Sequence, residues 1–179
     1  ALARAALPLW GLEGAGVTLI NLSENATFAV AAPDGRRYAL RLHRVGYHPV
    51  AAIGSELAWV RALRDEGVVT APRPVAGRDG RLVQRTGGRT LVLFDWEAGV
   101  EPGIGDDLTA PFEELGAAAA RMHGHARRWV RPAGFTRLTW DVETSLGDAA
   151  PHWGRWRDGM GMDAAKAARS TSATDRPLR

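Results

Sequence analysis

The stretch Tyr38-Ala39-Leu40-Arg41-Leu42-His43-Arg44, with the segment after it, constrains this chain more than any other. Tyr38, Leu40 and Leu42 alternate with Ala39, Arg41 and His43, the period of a strand with one buried apolar face. From Val50 to Leu63, the residues Ile53, Leu57, Val60 and Leu63 recur at helical spacing. Glu56 falls on that same side, one turn before Val60, so a helix folded back on the strand brings Glu56 to Arg41. At this level two readings of the pair stay open. One is a partly exposed structural ion pair worth about 0–1 kcal/mol; the other is a cation held in place for an anionic ligand.

The flanking sequence supplies the rest of a small sheet. Residues 1–12 read as a short helix stopped by Gly11. Val17–Leu22 and Thr27–Ala31 read as strands joined by the polar turn Ser23-Glu24-Asn25, and Pro33-Asp34-Gly35 turns the chain into the Arg41 strand. The spacing therefore predicts three consecutive antiparallel strands. The helix ends near Gly67, Pro72 and Pro74 punctuate its exit, and two further strands are expected at Leu82-Val83-Gln84 and Thr90–Phe94. Asp95-Trp96-Glu97-Ala98-Gly99 then opens a polar and aromatic connector. A long helix is predicted over Pro111–Trp129, with Leu115, Ala119, Met122, Ala126 and Trp129 on one stripe. The remainder reads as loop-rich with short helical pieces, and Arg169–Arg179 as a disordered tail.

Composition excludes some chemistry. There is no cysteine, hence no disulfide, thiolate nucleophile or cysteine-ligated metal. A net charge of +3, carried almost wholly by arginine with Lys166 the sole lysine, does not favour nucleic-acid binding. Arg127, Arg128 and Arg131 are the one local basic cluster and read as a solvated helix end. No apolar run is long enough to span a bilayer, and a cytoplasmic location is the expectation. His43, His48 and His152 are scattered, and His123 and His125 are two apart, which is poor spacing for a shared helical metal site; His123 is read as packing or capping. Asp106-Asp107 and Glu113-Glu114 read as charges at a helix start.

The order of Leu22-Ser23-Glu24-Asn25-Ala26-Thr27-Phe28, Tyr38-Ala39-Leu40-Arg41, Glu56-Leu57, Phe94-Asp95-Trp96-Glu97-Ala98-Gly99 and Leu115-Gly116 with Met122-His123 resembles the aminoglycoside phosphotransferase and homoserine kinase type II group. The resemblance spans most of Leu12–Met162. It implies an α+β, protein-kinase-like fold: an antiparallel sheet with one packed helix, followed by the start of a mostly helical lobe. The implied division is a nucleotide-binding lobe at 1–94, a connector at 95–110, a partial helical lobe at 111–168 and a tail at 169–179. It further implies ATP as phosphoryl donor, Mg²⁺ as its companion ion and a small-molecule hydroxyl as acceptor. Arg41 would contact the phosphates with Glu56 as its orienter, Ser23, Glu24 and Asn25 would lie over the phosphates, and Asp95, Trp96 and Glu97 would meet the adenine edge. Phosphoryl transfer relies on such charge neutralisation and positioning more than on covalent help.

The family's His-x-Asp catalytic loop, its downstream Asn and its metal-binding Asp are not found, since no histidine here is followed two residues later by aspartate. No catalytic residue and no metal ligand is therefore assigned. The expectation is a truncated or frame-altered copy carrying the nucleotide-binding part, with Mg²⁺ ligands belonging to a full-length relative. The alternative is a catalytically inactive nucleotide-binding or partner-docking module. Met122, Trp140 and Trp153 would then offer a surface for self-association.

Overall fold

The strand Arg37–His43 (β3) is covered on both faces. In the computed structural model, which describes residues 1–100, 102–149, 151–152, 154–163 and 165–166, it is central to an antiparallel sheet. The strands are β1 (Gly16–Leu22), β2 (Asn25–Ala31), β3, β4 (Pro74–Val75), β5 (Gln84–Thr86) and β6 (Arg89–Asp95). The order is β1-β2-β3-β6-β4, with β5 also paired to β6. Together with the helices this is an α+β fold.

Tyr38, Leu40 and Leu42 pack with Leu91 and Leu93 of β6 and with Ala3, Ala6, Leu7 and Leu12 of the N-terminal segment. That segment is helix α1 (Leu2–Ala6) running into a 3-10 turn, Leu7–Trp10, which ends at Gly11 in the left-handed region (φ 70). The Trp10 indole N–H donates to the Val75 carbonyl at 3.1 Å, fastening this cover to the edge of the sheet. On the opposite face, Val92 and Phe94 pack with Ile53 and Leu57 of helix α2 (Val50–Asp65), against the partly buried Ala39. β6 is thus apolar at every position from Leu91 to Phe94, because both of its faces are covered.

The first three strands and α2 follow the sequence reading. Three details differ. Asn25 belongs to β2, paired with His43, so the first turn is shorter than Ser23-Glu24-Asn25. The strand expected at Leu82-Val83-Gln84 lies at Gln84–Thr86, because the Gly87-Gly88 turn sets its pairing with β6; both glycines have positive φ, as a type I′ hairpin turn requires. Leu82 and Val83 instead pack beneath α2. β4 was masked in the sequence by Pro74, which a two-residue strand at the sheet edge tolerates.

Helix α3 (Thr109–Arg128) meets α2 through its C-terminal half. Leu115, placed on the expected apolar stripe, is 60% exposed, and the buried residue of this helix is His125. His123 is exposed, so the packing role read at His123 belongs to its neighbour. The Trp59 indole N–H donates to His125 Nδ1 at 3.1 Å, leaving Nε2 to donate to Glu66 Oε1 at 3.2 Å. An indole can only donate, so this bond selects the tautomer.

Residues 1–137 form one compact unit, and a second begins at Leu138. The second contains α4 (Val142–Leu146), whose capping box is made by Asp141 and Thr144, and a 3-10 turn at Trp156–Asp158. Arg157 Nη1 bonds both carboxylate oxygens of Asp148, at 2.7 and 2.8 Å. Trp140 is 67% exposed. Trp153 and the tail Arg169–Arg179 lie outside the described residues. Among the described residues no helix is long and apolar enough to cross a membrane.

Candidate functional site

Ala39, Arg41 and His43 project toward α2, on the side of β3 opposite Leu40. Arg41 is flanked in the sheet by Thr27 of β2 and Val92 of β6. Its Nη1 donates to Glu56 Oε1 at 2.7 Å, and its guanidinium lies 5.0 Å from the centre of the Phe94 ring. The side chains of Arg41 and Glu56 are 32% and 24% exposed, so solvent screens the pair and its contribution to stability is on the order of 1 kcal/mol or less. Its consequence is positional: an arginine in mid-strand is held to one rotamer.

A second cation reaches the same carboxylate, for Arg137 Nη1 lies 3.3 Å from Glu56 Oε2. Burial pushes the Glu56 carboxyl up. The Arg41 hydrogen bond, with the charges of Arg41 and Arg137, more than offsets this, and the net shift is below the ordinary value.

His43, two residues beyond Arg41, is 4% exposed, and among the described residues neither ring nitrogen has a hydrogen-bond partner. Burial first, then the Arg41 charge, brings its pKa down to about 4 despite the opposing pull of Glu56. It is therefore a neutral imidazole near neutral pH. The pKa of His48 is also lowered, by burial and then by the charge of Arg137.

Arg41 and Glu56 open onto a cavity of about 270 Å³ lined by Thr27, Ala39, Val60, Phe94, Asp95, Trp96 and Glu97, together with Ala71 and Pro72. Five of the sequence-selected residues thus share one cleft: Arg41, Glu56, Asp95, Trp96 and Glu97. The connector residues are restrained by arginines. Arg73 Nε donates to Asp95 Oδ2 at 2.8 Å, Arg64 lies 3.3 Å from Glu97 Oε1, and Arg37 stacks 4.0 Å from the Trp96 ring centre. The backbone N–H groups of Asp95 and Trp96 donate to the carbonyls of Arg73 and Arg37.

Ser23, Glu24 and Asn25 lie apart from that lining, at the tip of the β1–β2 hairpin. Glu24 pairs with Arg44 at 2.8 Å, Asn25 Oδ1 accepts from the Arg44 N–H at 3.3 Å, and Ser23 Oγ accepts from Asn21 at 3.5 Å. The hairpin tip is thereby tied to the end of β3.

Sequence reasoning did not select Thr27, His43 or Arg137. Register with Arg41 could have found Thr27, and strand alternation His43. Arg137 is separated from Glu56 by 81 residues, and no local pattern signals the contact. Among the described residues no group of three His, Asp or Glu side chains is arranged to hold a metal ion. The cleft offers apolar walls from Ala39, Val60 and Phe94 beside a held guanidinium.

Comparison with known proteins bears on this geometry. The chain is 42% identical to the microcompartment-associated aminopropanol kinase, with a TM-score of 0.81, over 97% of this chain and 55% of that one. It is 20% identical to an amicoumacin kinase solved in complex with AMP-PNP, Ca²⁺ and Ami, with a TM-score of 0.68, over 99% of this chain and 54% of that one. For a spectinomycin phosphotransferase solved with ADP and spectinomycin the values are 14% and 0.57, over 79% of this chain and 43% of that one. In the last two cases the likeness is one of fold. The chain spans about half the length of the first two of these structures. No curated protein sequence matches it. The model of the phosphotransferase enzyme family matches residues 17–173, and the chain belongs to that family.

Proposed function

We propose that this chain forms the nucleotide-binding part of a kinase that transfers the γ-phosphoryl group of ATP to a hydroxyl of a small molecule. The observation that carries the reading is the Arg41–Glu56 pair, at 2.7 Å, opening onto the cleft that ends at 95–97. In that role Arg41 neutralises phosphate charge with a planar fork of donors, and Glu56 holds it in place. Thr27, Ala39, Val60 and Phe94 exclude water around the base. The N–H groups of Asp95 and Trp96 are engaged within the fold, so recognition of the adenine edge falls to the connector's carbonyls and to groups beyond Trp96. Ser23, Glu24 and Asn25 form the hairpin that lies over the phosphates.

The described residues supply no cluster for Mg²⁺. The likeness to an aminopropanol kinase at 42% identity makes short amino alcohols the first acceptors to examine. Titration of the 179-residue chain with AMP-PNP by calorimetry tests the core of the reading. Saturable binding that is lost in Arg41→Ala is expected; absence of binding by the unaltered chain removes the nucleotide site.

A further inference from the structure

The carboxylate of Glu56 carries a guanidinium on each oxygen. Arg41 of β3 occupies Oε1 at 2.7 Å, and Arg137, which follows α3, occupies Oε2 at 3.3 Å. Arg137 Nη1 also donates to the Ala52 carbonyl at 3.2 Å, and the Thr136 N–H donates to Ser55 Oγ at 2.9 Å. The segment after α3 is thus bonded to α2 at positions 52, 55 and 56, on the turn that carries the site's carboxylate.

We propose that Arg137 is a positioning residue of the nucleotide site, the second cation that keeps Glu56 ionised and turned toward β3 while Arg41 engages phosphate. The inference rests on the nucleotide reading above. A phosphate oxygen competes with Glu56 for the Arg41 guanidinium. Were Arg41 its sole partner, a half-buried carboxylate would lose its counter-charge as that cation turned to the ligand. It would then take up a proton or swing toward solvent. A second guanidinium, anchored independently on the Ala52 carbonyl, removes that penalty, so Arg41 is shared between carboxylate and phosphate.

The surrounding charge is consistent with this. Two guanidinium groups and one carboxylate leave one net positive charge facing the ligand, and His43, with a pKa of about 4, adds none near neutral pH. His48 also lies beside the cluster with a lowered pKa, and the Asp95 and Glu97 carboxylates on the same cleft are paired with Arg73 and Arg64.

A double-mutant cycle on AMP-PNP affinity, measured by calorimetry on the intact chain, separates this role from simple packing. Arg137→Gln is expected to weaken binding about tenfold, the size of one lost charge contact. Arg137→Lys should recover most of that loss. In a Glu56→Gln background, Arg137→Gln should change affinity less than about twofold, because its target is gone. Ser55→Ala, which cuts the neighbouring anchor and leaves both cations in place, should keep the nucleotide affinity.

Equal losses from Arg137→Gln with and without Glu56, or no loss at all, overturn the proposal while leaving nucleotide binding intact. Failure of the unaltered chain to bind AMP-PNP overturns both the nucleotide reading and this role, and is recognised before any variant is compared. Should circular dichroism show Arg137→Gln unfolded, the same cycle run with Arg137→Lys decides the matter by whether its smaller effect depends on Glu56.

Discussion

Arg41 and His43 occupy the same face of one strand and are treated oppositely by their surroundings. The Arg41 guanidinium is received by the Glu56 carboxylate and lies over the Phe94 ring. Burial, and then the Arg41 charge, keeps His43 neutral, and among the described residues neither of its ring nitrogens has a hydrogen-bond partner. Under the proposed function, Glu56→Gln should weaken AMP-PNP binding by roughly tenfold, and Arg41→Ala by more, since the former releases a cation that the latter deletes. Calorimetry that ranks the two variants the other way would contradict the roles assigned to them.

His43 also makes a pH prediction. Its imidazole titrates near 6.5 when unfolded and about 4 when folded. Between those values the unfolded chain binds the extra proton, so stability increases with pH. The contribution is complete above pH 6.5 and is lost as pH falls toward 4, amounting to no more than about 3 kcal/mol. Urea melts across that range should show this slope in the unaltered chain and a shallower one in His43→Leu. Identical slopes would assign the acid sensitivity to other groups.

At the level of elements, α2 is the part on which the others converge. Its Ile53 and Leu57 fill the space over Val92 and Phe94, its Glu56 meets β3, and its Trp59 meets α3. Leu57 is 2% exposed, so Leu57→Ala should cost about 2–5 kcal/mol in stability, seen as a lower denaturation midpoint. Trp59→Phe keeps most of the apolar contact but strips the donor from the buried His125 Nδ1. Leaving that acceptor unsatisfied should cost about 1–3 kcal/mol. A Trp59→Phe variant as stable as the parent would show that water replaces the indole.

For the whole molecule, the division between binding and transfer matters most. The chain covers 55% of the aminopropanol kinase it resembles, and none of its histidines stands two residues before an aspartate. Under the proposed function the 179-residue chain is expected to bind AMP-PNP, and transfer to an amino alcohol is a separate question. Incubation with ATP, Mg²⁺ and aminopropanol, followed by phosphorus NMR, answers it. A phosphate ester formed in proportion to enzyme would require a proton acceptor that the family motif does not describe.

Local sequence determined the first three strands and α2, the residues facing each side of β3, and the meeting of Arg41 with Glu56. These follow from periods of two and of about 3.6 residues, which the backbone imposes over a few consecutive positions. The tertiary structure decided what those patterns leave open. It set the register of β5 through Gly87-Gly88 and found a two-residue strand at Pro74–Val75. It also buried His125 in place of His123, and brought Arg137 to Glu56 across 81 residues. Such contacts join segments distant in the chain and depend on which faces remain open once the sheet and α2 have packed. The strand and helix that first defined the site were legible because each is a local pattern; the second cation on Glu56 exists only in the folded chain.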